Sequence, residues 1–212
     1  MSPAPHILAD LRARYAEPHR HYHTWNHLEQ MAEHARTLNL DDLDEVVLAI
    51  LFHDAVYDPK ATDNERRSAD LMRTMMSEHT SPEVLDKAET LILATVGHRV
   101  PEGISSDLAQ TCACFLDMDL AILAAYEPDF VAYDEAIRKE YAHVPETEYR
   151  RGRAQILERF LARPRIYLSE PFSALEFTAR HNIQTALDKL RRPYVTKLED
   201  AQRGKKTAPN LQ

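Results

Sequence analysis

The chain has 212 residues with 34 acidic and 26 basic side chains, a formal net charge of −8, 44% hydrophobic residues and only 4 glycines, where roughly 15 would be usual for this length. The shortage points to helices, and because Gly97, Gly103, Gly152 and Gly204 stand singly, it excludes dinucleotide folds and P-loops, which cluster glycines between a strand and a helix. The acidic balance supplies no global basic field, so nucleic acid and anionic membrane surfaces are not expected as partners.

Apolar residues recur at three- and four-residue spacing almost throughout, interrupted at caps and prolines, which predicts an all-α, single-domain bundle of about nine helices over residues 1–192. The first helix is expected over 7–16, with Leu8, Leu11 and Tyr15 on its inner face. The second starts at Thr24 and carries Leu28, Met31, Ala35 and Leu38. The third, over 42–57, is apolar on nearly every face through VVLAILF and is expected to be the central buried helix. A fourth follows TDNE, where Thr62 and Glu65 match a capping box, and a fifth runs from Ser81-Pro82 to Gly97. The remaining four are expected over about 107–126, 128–143, 148–162 and 171–190. After Pro193 the apolar period is lost, and 193–212 reads as a polar, disordered tail.

Cys112 and Cys114 are two apart on a helix, so their side chains diverge and cannot pair, and free thiols suit a reducing cytosol. The longest apolar run, 46–52, is far short of the ~20 residues of a membrane span, and the first residues carry no signal-peptide core. A cytoplasmic location is the expectation.

Three polar anomalies stand out. In LFHDAVYD, His53 and Asp54 sit in the most hydrophobic helix. An ionised carboxylate buried there must be paired, protonated or metal-bound, and a buried salt bridge explains the pattern as well as a metal does. In CACFLDMDLAIL, the helical wheel groups Asp119 with Cys112, Phe115, Leu116, Ile122 and Leu123, while Asp117 points the other way with Gln110, Ala113 and Cys114. Only Asp119 is then expected to face the core, with Asp117 solvated or hydrogen-bonded. In HRHYHTWNH, His27 lies on the flank of the Met31 stripe, one turn beyond His23. Together, His27, His53, Asp54 and Asp119 make an N2O2 set of divalent-metal ligands with room for water.

The order His, His-Asp, Asp, carried by YHTWNH, FHDAVYD, NERRSA, TVGH and LDMDLAIL and continued by AIRKEY, YRRGR and EFTARHNI, resembles the HD-domain superfamily of metal-dependent phosphohydrolases over roughly residues 7–190. Most similar is a bacterial branch of predicted phosphohydrolases of about this length. The resemblance implies an HD-type bundle whose metal ligands are His27, His53, Asp54 and Asp119, and hydrolysis of a phosphate ester of a small molecule, by default a nucleotide or other phosphomonoester. Some nucleotidase members place a glutamate where this chain has Tyr57, so that general acid/base is not carried over. Asp58 and Glu65 are the nearest acidic candidates, and Asp54 and His98 complete the catalytic set. His98 is an extra ligand or phosphate donor, or else a loop histidine. Arg138 and Arg153 are candidate phosphate clamps, or else solvated. Two imidazoles, two carboxylates and two open positions suit Mn²⁺, Fe²⁺, Co²⁺ or Mg²⁺ better than a closed Zn²⁺ site. Three other readings stay open: an HD-type di-iron oxygenase, a ferritin-like di-iron bundle, for which the chain has only the pair Glu140 to His143, and a non-catalytic metal- or ligand-sensing module. No oligomeric state follows from the sequence.

Overall fold

The computed structural model describes residues 3–192, so the tail expected over 193–212 lies outside the described residues. Nine α-helices and no strand occur among them: α1 Pro5–Tyr15, α2 Trp25–Thr37, α3 Asp44–Phe52, α4 Asn64–Met76, α5 Pro82–Ala94, α6 Ser106–Asp119, α7 Glu127–Glu140, α8 Glu146–Leu161 and α9 Glu176–Arg191. Two 3₁₀ segments, Leu120–Ala124 and Glu170–Leu175, join α6 to α7 and lead into α9. No single described helix is long and apolar enough to cross a membrane.

The caps act locally as their chemistry dictates. Ser81 and Ser105 accept the N–H groups of Val84 and Leu108, satisfying orphan donors at the starts of α5 and α6, and Pro82 occupies the first turn of α5. Other expectations need correction. Ile7, Leu11 and Tyr15 form the buried stripe of α1, and Leu8 is only half-buried. Asp63, not Thr62, precedes α4, and no side chain caps it. The turn before α4 is organised by Asn64 instead, whose side chain accepts the N–H of Asp58 and donates to its carbonyl. The spans expected over 107–126 and 171–190 each divide into an α-helix and a 3₁₀ segment.

Helix α3 packs on α2, α4 and α5, and α6 packs on α2 and α5. Helix α3 has no exposed residue, as its apolar sequence predicts, and in α6 every residue from Cys112 to Met118 is buried, including Asp117. Phe52 at the end of α3 and Phe115 on α6 are fully buried, each contributing roughly 1.5–3 kcal/mol of transfer free energy. Ends matter more than middles for function here. The C-terminal ends of α3 and α6 stop beside the N-terminal half of α2, and the polar groups gather at that junction.

Candidate metal centre

His27, on the buried face of α2, brings Nε2 to 3.1 Å from Asp119 Oδ1 and 3.2 Å from His53 Nε2. His53 is the residue just beyond α3, and its ring is 2% exposed. Its Nδ1 donates to the carbonyl of Ile50 at 3.0 Å, which fixes the tautomer and leaves Nε2 facing the cluster, as a metal-ligating imidazole requires. Asp119 is the last residue of α6. Ligand atoms of His27, His53 and Asp119 all lie within 4.8 Å of one another, a grouping that could hold a metal ion.

Asp54 joins from the side. It lies past the end of α3 rather than on the apolar helix face, and its Oδ2 is 3.0 Å from His53 Nε2. The cationic partner that its burial demands is therefore His53, while its carbonyl accepts from Arg20 Nη1 at 2.7 Å. His98 also arrives at the cluster: its Nε2 is 3.0 Å from Asp119 Oδ2. It does so with a left-handed backbone, φ 46°, a conformation that costs a non-glycine residue on the order of 1–3 kcal/mol and recurs at functional sites. Arg163 holds that strained turn by donating to the carbonyls of Gly97 and His98.

Electrostatically the cluster favours a cation. Burial of the His53 ring opposes its charge, but the Asp54 carboxylate, and Asp119 behind it, outweigh burial and push the ring up to about 9. Burial likewise works against the charged forms of Asp54 and Asp119. The charge of His53, then that of His23, holds Asp54 well below the usual carboxylate range. Hydrogen bonds from His27 and His98, with the charge of His53, do the same for Asp119. Two ionised carboxylates and converging imidazole nitrogens suit either a shared proton or a divalent ion.

The other sequence candidates are placed elsewhere. Asp58 is exposed and caps its own turn, accepting the N–H of Lys60. Glu65, half-buried on α4, makes no hydrogen bond or ion pair to the cluster among the described contacts. Arg138 is tied to Glu146 and to the carbonyls of Tyr141 and Val144, closing the α7–α8 corner. Arg153 is paired with Asp134 and lies against the Tyr133 ring. Neither arginine reaches the cluster.

Asp117 is hydrogen-bonded, as one of its two expected roles allowed, but the expectation that only Asp119 would face the interior needs correction. It is fully buried, and it accepts the N–H groups of Leu168 and Ser169 and the Ser169 hydroxyl. Both aspartates of the pair are enclosed, on opposite sides of one helix, with Asp117 tethering the segment at 168–169. Burial raises its pKa, against the pull of those donors.

Of two further residues around the cluster, Arg20 was not singled out by sequence pattern and Glu140 entered only as half of the Glu140 to His143 pair. Arg20, its side chain 0% exposed, donates to the carbonyls of His23, Asp54 and Ala55 and lies over the rings of Tyr15 and Tyr57. Glu140, at the end of α7 and equally buried, accepts the N–H groups of His21, Tyr22 and His23, the ring Nδ1 of His23 and the Tyr57 hydroxyl. Together they fix the 20–24 loop and the 53–57 turn against each other. The density of HRHYH was the only visible signal. No family model, curated protein or solved structure matches this chain.

Proposed function

We propose that this chain is an HD-type phosphohydrolase that cleaves a small phosphomonoester, with a divalent ion held by His27, His53, Asp54 and Asp119. The observation that carries the reading is the convergence of His27 Nε2 from α2, His53 Nε2 from the residue after α3 and the Asp119 carboxylate from the end of α6 within 4.8 Å. The donor set fits the group: the Ile50 carbonyl presets the His53 tautomer, and the two carboxylates supply charge. An imidazole and carboxylate set suits Mn²⁺, Fe²⁺, Co²⁺ or Mg²⁺. Such an ion lowers the pKa of a bound water and screens charge developing on phosphoryl oxygens.

The protein's part is position. His98 holds the second oxygen of Asp119 and so orients that carboxylate. Arg20 anchors the turn that carries Asp54. Hydrolysis of small phosphomonoesters is expected to require an added divalent metal and to disappear in His53→Ala and in Asp54→Ala. Activity that survives both substitutions in contaminant-free protein would end this reading. A second reading, the di-iron oxygenase, draws support from His98, whose Nε2 beside Asp119 is a candidate for the extra ligand that an iron pair needs. Iron at two equivalents per chain with a coloured protein, and no phosphatase activity, would favour it.

A further inference from the structure

His23 stands beside the cluster without belonging to it. Its ring centroid is 6.2 Å from that of His27 and 4.4 Å from that of Tyr57. Its Nδ1 donates to Glu140 Oε2 at 2.7 Å, and the Tyr57 hydroxyl donates to the same oxygen at 2.7 Å. The other carboxylate oxygen, Oε1, takes three backbone N–H groups of the same loop. Those three bonds suffice to hold the loop, so the imidazole is not needed as a tether. Its Nε2 has no protein partner among the described residues, yet it is not sealed away: the ring is 21% exposed.

A carboxylate that fixes one ring nitrogen while the other is left open, one ring away from converging ligand atoms, is the arrangement of an acid–base histidine. The neighbouring histidines lack it. His19 is exposed, with its Nε2 at the Tyr57 carbonyl, and His21 is exposed. His27 and His53 turn their Nε2 atoms into the cluster itself.

We propose that His23, aimed by Glu140, is a further catalytic residue: the donor that protonates the leaving oxygen of the ester held at the cluster. The inference rests on the phosphohydrolase reading. In the step, the attacking water gives one proton to solvent and its oxygen bonds to phosphorus. The ester P–O bond breaks, its electron pair passes to the leaving oxygen, and that oxygen takes the proton from His23 Nε2. The ring regains a proton from solvent, so that ester and water become alcohol and phosphate.

The test is a series of phosphomonoesters from nitrophenyl to alkyl, assayed with Mn²⁺ on the wild type and on His23→Gln. Proton donation predicts that the wild-type rate depends only weakly on leaving-group acidity. In His23→Gln, alkyl esters are expected to lose roughly 100-fold or more, within the usual range for an acid–base group, while the nitrophenyl ester loses less than about 10-fold. Calorimetry is expected to give Mn²⁺ affinity within a few-fold of wild type, because His23 is not a ligand. In Mg²⁺-loaded, ¹⁵N-histidine-labelled wild type, added inorganic phosphate is expected to move the His23 Nε2 resonance. An equal loss across the series overturns the proposal, as does a lost Mn²⁺ affinity. A steep leaving-group dependence in the wild type overturns it even if His23→Gln fails to fold. Absence of any metal-dependent hydrolysis overturns the underlying reading as well.

Discussion

Acid should cost the folded state part of its stability through Glu140. Its side chain is fully enclosed, with five donors converging on one carboxylate from the 21–23 backbone, His23 and Tyr57. Burial opposes its charge, but the His23 ring and the backbone N–H groups hold the carboxyl down at about 2. Against an unfolded value of roughly 4.3, that depression is worth on the order of 3 kcal/mol at neutral pH. The folded pKa is the lower one, so the unfolded chain takes up protons first. The contribution is whole above roughly pH 4.3, is about half gone near pH 3, and is lost as the pH falls through the folded value. Urea unfolding of wild type and Glu140→Gln, both with chelator, reads this directly. The other acids titrate in both proteins, and any loss from poorer amide geometry is independent of pH. The stability difference is therefore expected to shrink by ~2 kcal/mol between about pH 7 and pH 3. A difference that stays constant over that range would refute the assignment of Glu140 as the ionised hub of this loop.

Two further outcomes separate the metal centre from its scaffold. Chelation of the loaded protein is expected to lower Tm by roughly 5–10 °C in a thermal scan, since an ion at ~100 times its Kd adds about 2.7 kcal/mol to the folded state; unchanged melting after verified metal removal counts against the site. Asp119→Asn is expected to lose metal affinity by calorimetry, whereas Asp117→Asn keeps the metal and loses on the order of 2 kcal/mol of stability in urea, because the amide matches poorly the buried N–H and hydroxyl of Ser169 and the part-buried N–H of Leu168. The reverse pattern would move the ligand assignment to Asp117.

Much of the fold was legible because it rests on local signals. Apolar spacing and the cap at Ser81 locate helices without reference to the rest of the molecule. Where periodicity misled, the cause is geometric. Over five residues a 3₁₀ segment such as Leu120–Ala124 shows much the same apolar spacing as a continued α-helix. Thr62 and Glu65 have the spacing of a capping box, yet the turn is taken by the Asn64 to Asp58 pairing, which the spacing rule does not consider.

The site divides in the same way, by the kind of partner each carboxylate has. Asp119 and Asp54 were visible because each is a charge on an apolar segment and their partners His27 and His53 are themselves anomalies in the sequence, while His98 entered only through the family resemblance. Asp117 and Glu140 are as deeply buried, but most of their donors are main-chain N–H groups, at Leu168 and Ser169 in one case and at His21, Tyr22 and His23 in the other. Every residue but proline carries that donor, so the partner of such a carboxylate leaves no mark in composition or spacing. Backbone amides bind a carboxylate only where the chain is folded to present them together. A residue that uses them is therefore readable from structure alone, and His23, whose role depends on Glu140, was hidden with it.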